Sequence, residues 1–119
     1  MDRDPASILD IVLACRKLIG FVAGRSRADL DEDLMLQFAV LHAIAIVGEA
    51  ANRLSPGFRQ AHPTMPWGEV IGTRNRIIHG YDDVKLDIIW DIAADKIHQF
   101  LRRGYPRLQA WGGAASPEC

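Results

Sequence analysis

The run Arg74-Asn75-Arg76-Ile77-Ile78-His79-Gly80-Tyr81 places a permanent cation, an imidazole and a phenol within eight residues, in the pattern R-x4-H-x-Y. An arginine can hold a phosphate or a developing oxyanion, because its guanidinium is always charged and offers several donors. A histidine can take or give a proton near neutral pH. Those two residue types suffice, in principle, to cut RNA without a metal. The cut needs a base on the 2'-hydroxyl, an acid on the leaving oxygen and a cation on the phosphorane.

Geometry limits what one copy of the motif can do. Residues five apart on a continuous helix lie about 140° apart, at 3.6 residues per turn. Arg74 and His79 therefore meet in one of two ways: a break of the helix before His79, or a second copy across a two-fold axis. A two-fold interface would gather two arginines and two histidines around one cleft.

The elements that must carry the motif read as helices. Asp4-Pro5 is a good start, with Asp as N-cap and Pro in the first turn. Ile8, Ile11, Val12, Cys15, Leu18, Ile19 and Val22 recur at helical spacing, and Gly24 fits the end. After a polar link over Arg25 to Ala28, a second helix is expected from Asp29 or Asp31 to about Leu54. From Leu34 to Val47 it is apolar on nearly every side, so it must be buried on more than one face. It is either the central helix of a monomer or a helix whose far face a second chain covers. Ala39, Ala43 and Gly48 would permit close helix approach.

Ser55-Pro56-Gly57 reads as the stop of that helix, and Phe58 to Thr64 as a linking segment, with or without one helical turn. Pro66 opens a third helix whose apolar set is Trp67, Val70, Ile71, Ile77 and Ile78, with Arg74 on the same face. An arginine on a core-facing stripe is costly unless paired. It marks either a structural ion pair, for instance to Glu49, or a functional cleft. Gly80 is placed to stop this helix, leaving His79 at its C-terminus. Asp82-Asp83 is the expected turn and N-cap of a fourth helix with Leu86, Ile89, Trp90, Ala93, Ile97, Phe100 and Leu101 as its apolar face. Arg102-Arg103 and Gly104 end it. Tyr105 to Trp111 is expected as a short helix and 112–119 as a tail, giving one domain over 1–111.

The chain is all-α by this reading, an up-and-down bundle of four main helices. Its 119 residues suit one domain, and 49% apolar residues argue against disorder. The net charge of -1 excludes a strongly basic nucleic-acid binder. Within it, residues 1–50 carry five Lys/Arg against eight Asp/Glu, and residues 51–111 carry nine against six, so the basic excess lies with the motif. Cys15 and Cys119 cannot make a zinc site alone, and His42, His62, His79 and His98 lack ligand spacing, so neither metal nor cofactor is expected. His42 lies in a helix that reads as buried. No apolar run is expected to reach membrane-spanning length, and a cytoplasmic protein without membrane contact is the simplest expectation.

Three segments together resemble a known family. Ile46-Val47-Gly48-Glu49-Ala50-Ala51, then Met65-Pro66-Trp67, then the Arg74-to-Tyr81 run follow the order and spacing of the HEPN superfamily, most closely its HepT-like toxins. The similarity covers roughly residues 3–103. The resemblance implies an antiparallel helical bundle that forms a homodimer with active sites composed across it. It implies that His79 is general base or acid and that Arg74 binds the scissile phosphate. Asn75 would orient substrate or histidine, unless it is only a solvent-facing or capping residue. Glu49 is the candidate to orient Arg74, and Arg76 is either a phosphate-positioning or a surface residue. Tyr81 resembles the tyrosine that a partner minimal nucleotidyltransferase, the antitoxin, adenylylates; read alone it is a packing tyrosine after a helix. The function so implied is a metal-independent endoribonuclease toxin acting on tRNA or mRNA. The competing classes are a non-catalytic scaffold for a nucleotidyltransferase and a regulator of a larger nucleotidyltransferase complex.

Overall fold

The computed structural model describes residues 4–80 and 84–102, and among them every regular element is helical. Helix α1 (Asp4–Val22) buries Ile8, Ile11, Val12, Cys15, Leu18 and Val22, the stripe expected from the spacing. It ends at Gly24, whose φ of 72° is the left-handed conformation that glycine adopts without a Cβ penalty. Burial pushes the Cys15 thiol well above its ordinary range, so it is packing material rather than a nucleophile.

The expected second helix is two helices. Ser26 and Asp29 form a capping box, each side chain accepting from the other's backbone N–H, and this starts α2 (Arg27–Glu32) inside the expected link. Asp33 then adopts extended backbone and its carboxylate accepts from the Leu36 N–H at 3.1 Å, which starts α3 (Leu34–Arg53). The Leu36 bond, and after it the Arg25 guanidinium, hold the Asp33 carboxyl below its ordinary range. Arg27 bridges Asp31 and Asp87, tying α2 to the last helix.

Helix α3 runs along both α1 and α5 and supplies the centre of the core with Leu36, Val40, Leu41, Ala43, Ile44, Val47, Gly48, Ala50 and Ala51. Its other side is apolar and open: Met35 is 83% exposed, Phe38 57% and Ile46 36%. His42 lies on that open side. By length and composition α3 is also apolar enough to cross a membrane, with 20 residues at mean hydropathy 1.8, which corrects the expectation that no segment is. Half of its apolar window is buried within the domain.

Ser55 starts a helix rather than only stopping one. It caps α4 (Pro56–Ala61) through Phe58 N–H, while its own N–H and hydroxyl both donate to Asp4 at the start of α1. His62 closes α4 and stacks on Phe58 with ring centroids 4.1 Å apart. The Trp67 indole N–H donates to the His62 carbonyl, and its ring meets Phe100 edge-on. These contacts fix where α5 (Trp67–His79) begins. Of its expected apolar set, Trp67 and Val70 are buried, Ile71 and Ile77 pack against the core, and Ile78 is 55% exposed.

Helix α6 (Leu86–Asp91) is preceded by Lys85 at the N-cap without a side-chain cap; the turn and cap expected of Asp82-Asp83 fall on residues outside those described. It runs on through a π-helical turn at Ile92–Lys96 and an α-helical end over 97–102. The turn was not foreseen; with it, Ile92 joins Ile89, Ala93, Ile97 and Phe100 in the core. Tyr81 to Asp83, the Arg103-Gly104 end, the Tyr105 to Trp111 helix, the 112–119 tail and Cys119 lie outside the described residues.

Two outcomes follow. A Cβ on Gly48 would stand 2.6 Å from both the Arg74 Cβ and the Val70 carbonyl oxygen, whereas one on Gly20 meets nothing within 4 Å. Gly48→Ala should therefore lose about 1–3 kcal/mol by overpacking, and Gly20→Ala should lose nothing, read as urea midpoints. For Asp33, the folded carboxyl titrates below its unfolded value near ~3.9. Its stabilisation is present above that pH and is lost as pH falls through the depressed folded value. The Asp33→Ala midpoint should lie below that of the unaltered protein at neutral pH and converge with it in acid.

Candidate active site

Two residues of α3 decide where Arg74 sits. Gly48, lacking a side chain, lets the α5 backbone come against α3 at Val70 and Arg74. Glu49, the next residue, then faces the Arg74 guanidinium and forms an ion pair with it through Nη2 and Oε1. Arg74 Nη1 also donates to the Asn75 side-chain oxygen at 3.2 Å. The ion pair anticipated between Glu49 and Arg74 is present, and it sits at the surface: the two side chains are 26% and 45% exposed. Such a pair adds little stability of its own. Its effect is to fix the direction of a long, flexible cation.

The other oxygen of Glu49 is also occupied. Arg53, one turn later on α3, approaches Oε2 through Nη1 at 3.1 Å, and its Nη2 lies 3.4 Å from Asp10 on α1. Arg53 and Asp10 were not among the residues singled out from the sequence. The Glu49-to-Arg53 spacing of four was a legible helix pair; the Asp10 contact between helices was not. Arg74, Glu49 and Arg53 line an open hollow of about 240 Å³ whose remaining wall is Ala45, Ile46 and Ile78.

His79 lies elsewhere. Helix α5 is unbroken from Trp67 to His79 and closes with the Gly80 N–H donating to the Arg76 carbonyl at 2.8 Å. Gly80 has a φ of -174°, ordinary extended backbone, so it ends the helix without the left-handed turn that glycine favours. With no break before His79, one copy keeps its imidazole about 140° around the helix from Arg74. His79 is exposed and has no hydrogen bond or ion pair among the described residues, and Asn75 and Arg76 are exposed beside it. Of the two routes that could unite the arginine and the histidine, the local break is absent. Tyr81 lies just beyond the described part of the motif. Among the described residues no group of three or more His, Cys, Asp or Glu is placed to hold a metal.

Comparison with known proteins agrees with the family resemblance. The family described as Ribonuclease HepT-like matches residues 11–103. A candidate RNase of Caldanaerobacter subterraneus subsp. tengcongensis, TTE0752, is 35% identical over 96 residues, covering 80% of this chain and 86% of the relative. A candidate RNase of Methanocaldococcus jannaschii, MJ1380, is 29% identical over 92 residues, 77% of this chain and 84% of the relative. A protein of Thermococcus cleftensis named as the probable ribonuclease HepT is 35% identical over 65 residues, 55% of this chain and 59% of the relative. No solved structure matches the chain. The match spans every element that builds the hollow and the R-x4-H run, and the chain belongs to the HepT-like ribonuclease family.

Proposed function

We propose that this chain is a metal-independent endoribonuclease that works as a homodimer of antiparallel four-helix bundles. The observation that carries the reading is the separation of Arg74 from His79 on one unbroken helix, beside an uncovered apolar stripe. Met35, Phe38, His42 and Ile46 follow one another at helical spacing on the open side of α3 and lead to Glu49 and the Arg74 hollow. A second copy laid on that stripe would bury it and bring a second His79 toward the same cleft. The RNase names of the relatives support the same activity.

In this arrangement one His79 takes the proton of a ribose 2'-hydroxyl. The freed oxygen attacks the adjacent phosphorus, and the P–O5' bond breaks. The partner's His79 protonates the departing 5'-oxygen, leaving a 2',3'-cyclic phosphate and a 5'-hydroxyl. Arg74 holds the phosphate and meets the charge that builds on its oxygens, in a direction set by Glu49. Asn75 and Arg76, exposed on the same helix, position the substrate strand, which is tRNA or mRNA. We further propose that the protein is the toxin of a cytoplasmic toxin–antitoxin pair, with a minimal nucleotidyltransferase as antitoxin. Adenylylation of Tyr81 would place a bulky anion beside the phosphate cleft and repel RNA. A second reading, a non-catalytic scaffold for the nucleotidyltransferase, is favoured by one observation: Arg74 is already neutralised by Glu49.

The deciding experiment is cleavage of tRNA and total RNA in EDTA, using protein whose intact mass shows no adenylate on Tyr81. Cutting is expected to persist. His79→Ala should lower kcat by about 10²–10⁴-fold and Arg74→Ala by about 10²–10³-fold. No cutting by folded, unmodified protein would leave the scaffold reading. The dimer has its own check. Sedimentation should give twice the chain mass, and Met35→Glu with Ile46→Glu should give a folded monomer that no longer cuts. A folded double variant that remains dimeric would place the interface on another face.

A further inference from the structure

Arg53 has no part in the R-x4-H-x-Y motif, yet it reaches the same hollow as Arg74 from the opposite helix. The two guanidiniums converge on the two oxygens of one carboxylate, Arg74 on Oε1 and Arg53 on Oε2 of Glu49. Planar guanidiniums meet carboxylates and phosphates with the same fork geometry. The Glu49 carboxylate thus stands where the anionic oxygens of a phosphodiester would stand. The rest of the hollow is Ala45, Ile46 and Ile78, apolar side chains that place no second carboxylate against the arginines. Asp10 takes the other terminal nitrogen of Arg53, Nη2, at 3.4 Å, a long contact that keeps the guanidinium near the hollow.

We propose that Arg53 is a second phosphate-binding residue of this site, and that Glu49 is an internal anion which a phosphodiester of the RNA strand displaces from both arginines. The inference rests on the ribonuclease reading and adds to it a second cation and a built-in competitor. Glu49 keeps the two arginines aimed while the site is empty. It also lowers the affinity of the site for any phosphate, because binding must first disengage one charged partner. Two guanidiniums rather than one then hold that phosphodiester, which suits a chain whose net charge offers no extended basic track.

The test is binding of a single-stranded, 2'-O-methylated RNA oligonucleotide, which cannot be cut, measured across a range of KCl. Arg53→Ala should weaken binding roughly tenfold or more at low salt. It should also reduce the slope of log affinity against log salt by about 0.7, the share of one single-strand phosphate contact. Arg53→Lys should restore the slope, because it keeps the charge. With cleavable RNA, Arg53→Ala should raise KM and leave kcat near its starting value, as loss of uniform binding does. Glu49→Gln, which keeps the shape and removes the charge, should bind the oligonucleotide several-fold more tightly. A thermal melt of each variant separates these effects from folding, which would not change a salt slope. An Arg53→Ala slope equal to that of the unaltered protein, or unchanged or weaker binding by Glu49→Gln, would overturn the proposal. If the unaltered protein cuts RNA while Arg53→Ala keeps the slope, only this inference falls. If the unaltered protein binds no RNA, the ribonuclease reading falls with it.

Discussion

The contact between Gly48 and the backbone of α5 sets the geometry of everything that follows. A Cβ at position 48 would press on the Val70 carbonyl and on the Arg74 Cβ, so the two helices can lie this close only because that atom is missing. The approach has a direct chemical result. It brings the neighbouring Glu49 under the Arg74 guanidinium and turns a side chain with four rotatable bonds into a directed cation. Close packing and site geometry are here one constraint. Any change that separates α3 from α5 also moves Arg74 away from its carboxylate and from the hollow it lines.

Helix α3 has two kinds of apolar surface, and they do different work. The side built from Leu36, Val40, Ala43, Ile44, Val47 and Ala51 is buried between α1 and α5 and holds the domain together. The side carrying Met35, Phe38 and Ile46 is open, and so is Ile78 on α5 beside it. Large exposed apolar side chains arranged contiguously at one edge of a polar site mark an interaction surface more than they mark an ordinary protein exterior. That surface joins the Arg74 hollow through Ile46 and Ile78, so a second copy laid on it, as proposed, would also border the hollow.

The charges around the hollow nearly cancel. Arg74 and Arg53 share Glu49, and Asp10 takes the remaining side of Arg53. These pairs are partly solvated, so each contributes little to stability. Their effect is conformational: they hold two guanidiniums in one place, which would lower the ordering cost of the anion binding proposed here. The arrangement also explains how a chain of net charge -1 can present a local pair of cations.

The sequence by itself determined what depends on near neighbours along the chain. The stripe of α1, its glycine end at Gly24, the apolar core of α3 and the span of α5 all follow from helical spacing and stop residues, which act over a few positions. The R-x4-H-x-Y pattern and the Glu49–Arg74 pairing were legible too, since an arginine on an apolar stripe needs a partner and Glu49 interrupts the apolar face of the preceding helix. Where a residue can serve either of two helices, only the tertiary structure decided. Asp33 divides α2 from α3, Ser55 starts α4 and ties it to Asp4, and Lys85 precedes α6 without a side-chain cap. Each outcome depends on which packing lets the flanking segments bury their apolar sides. The π-helical turn at Ile92–Lys96, the exposure of Ile78 and His42, and the meeting of Arg53 with Asp10 belong to the same class. Helical periodicity gives the direction of a side chain around its own axis. It does not give the distance and rotation of one helix against another, and here a single missing Cβ at Gly48 supplies both.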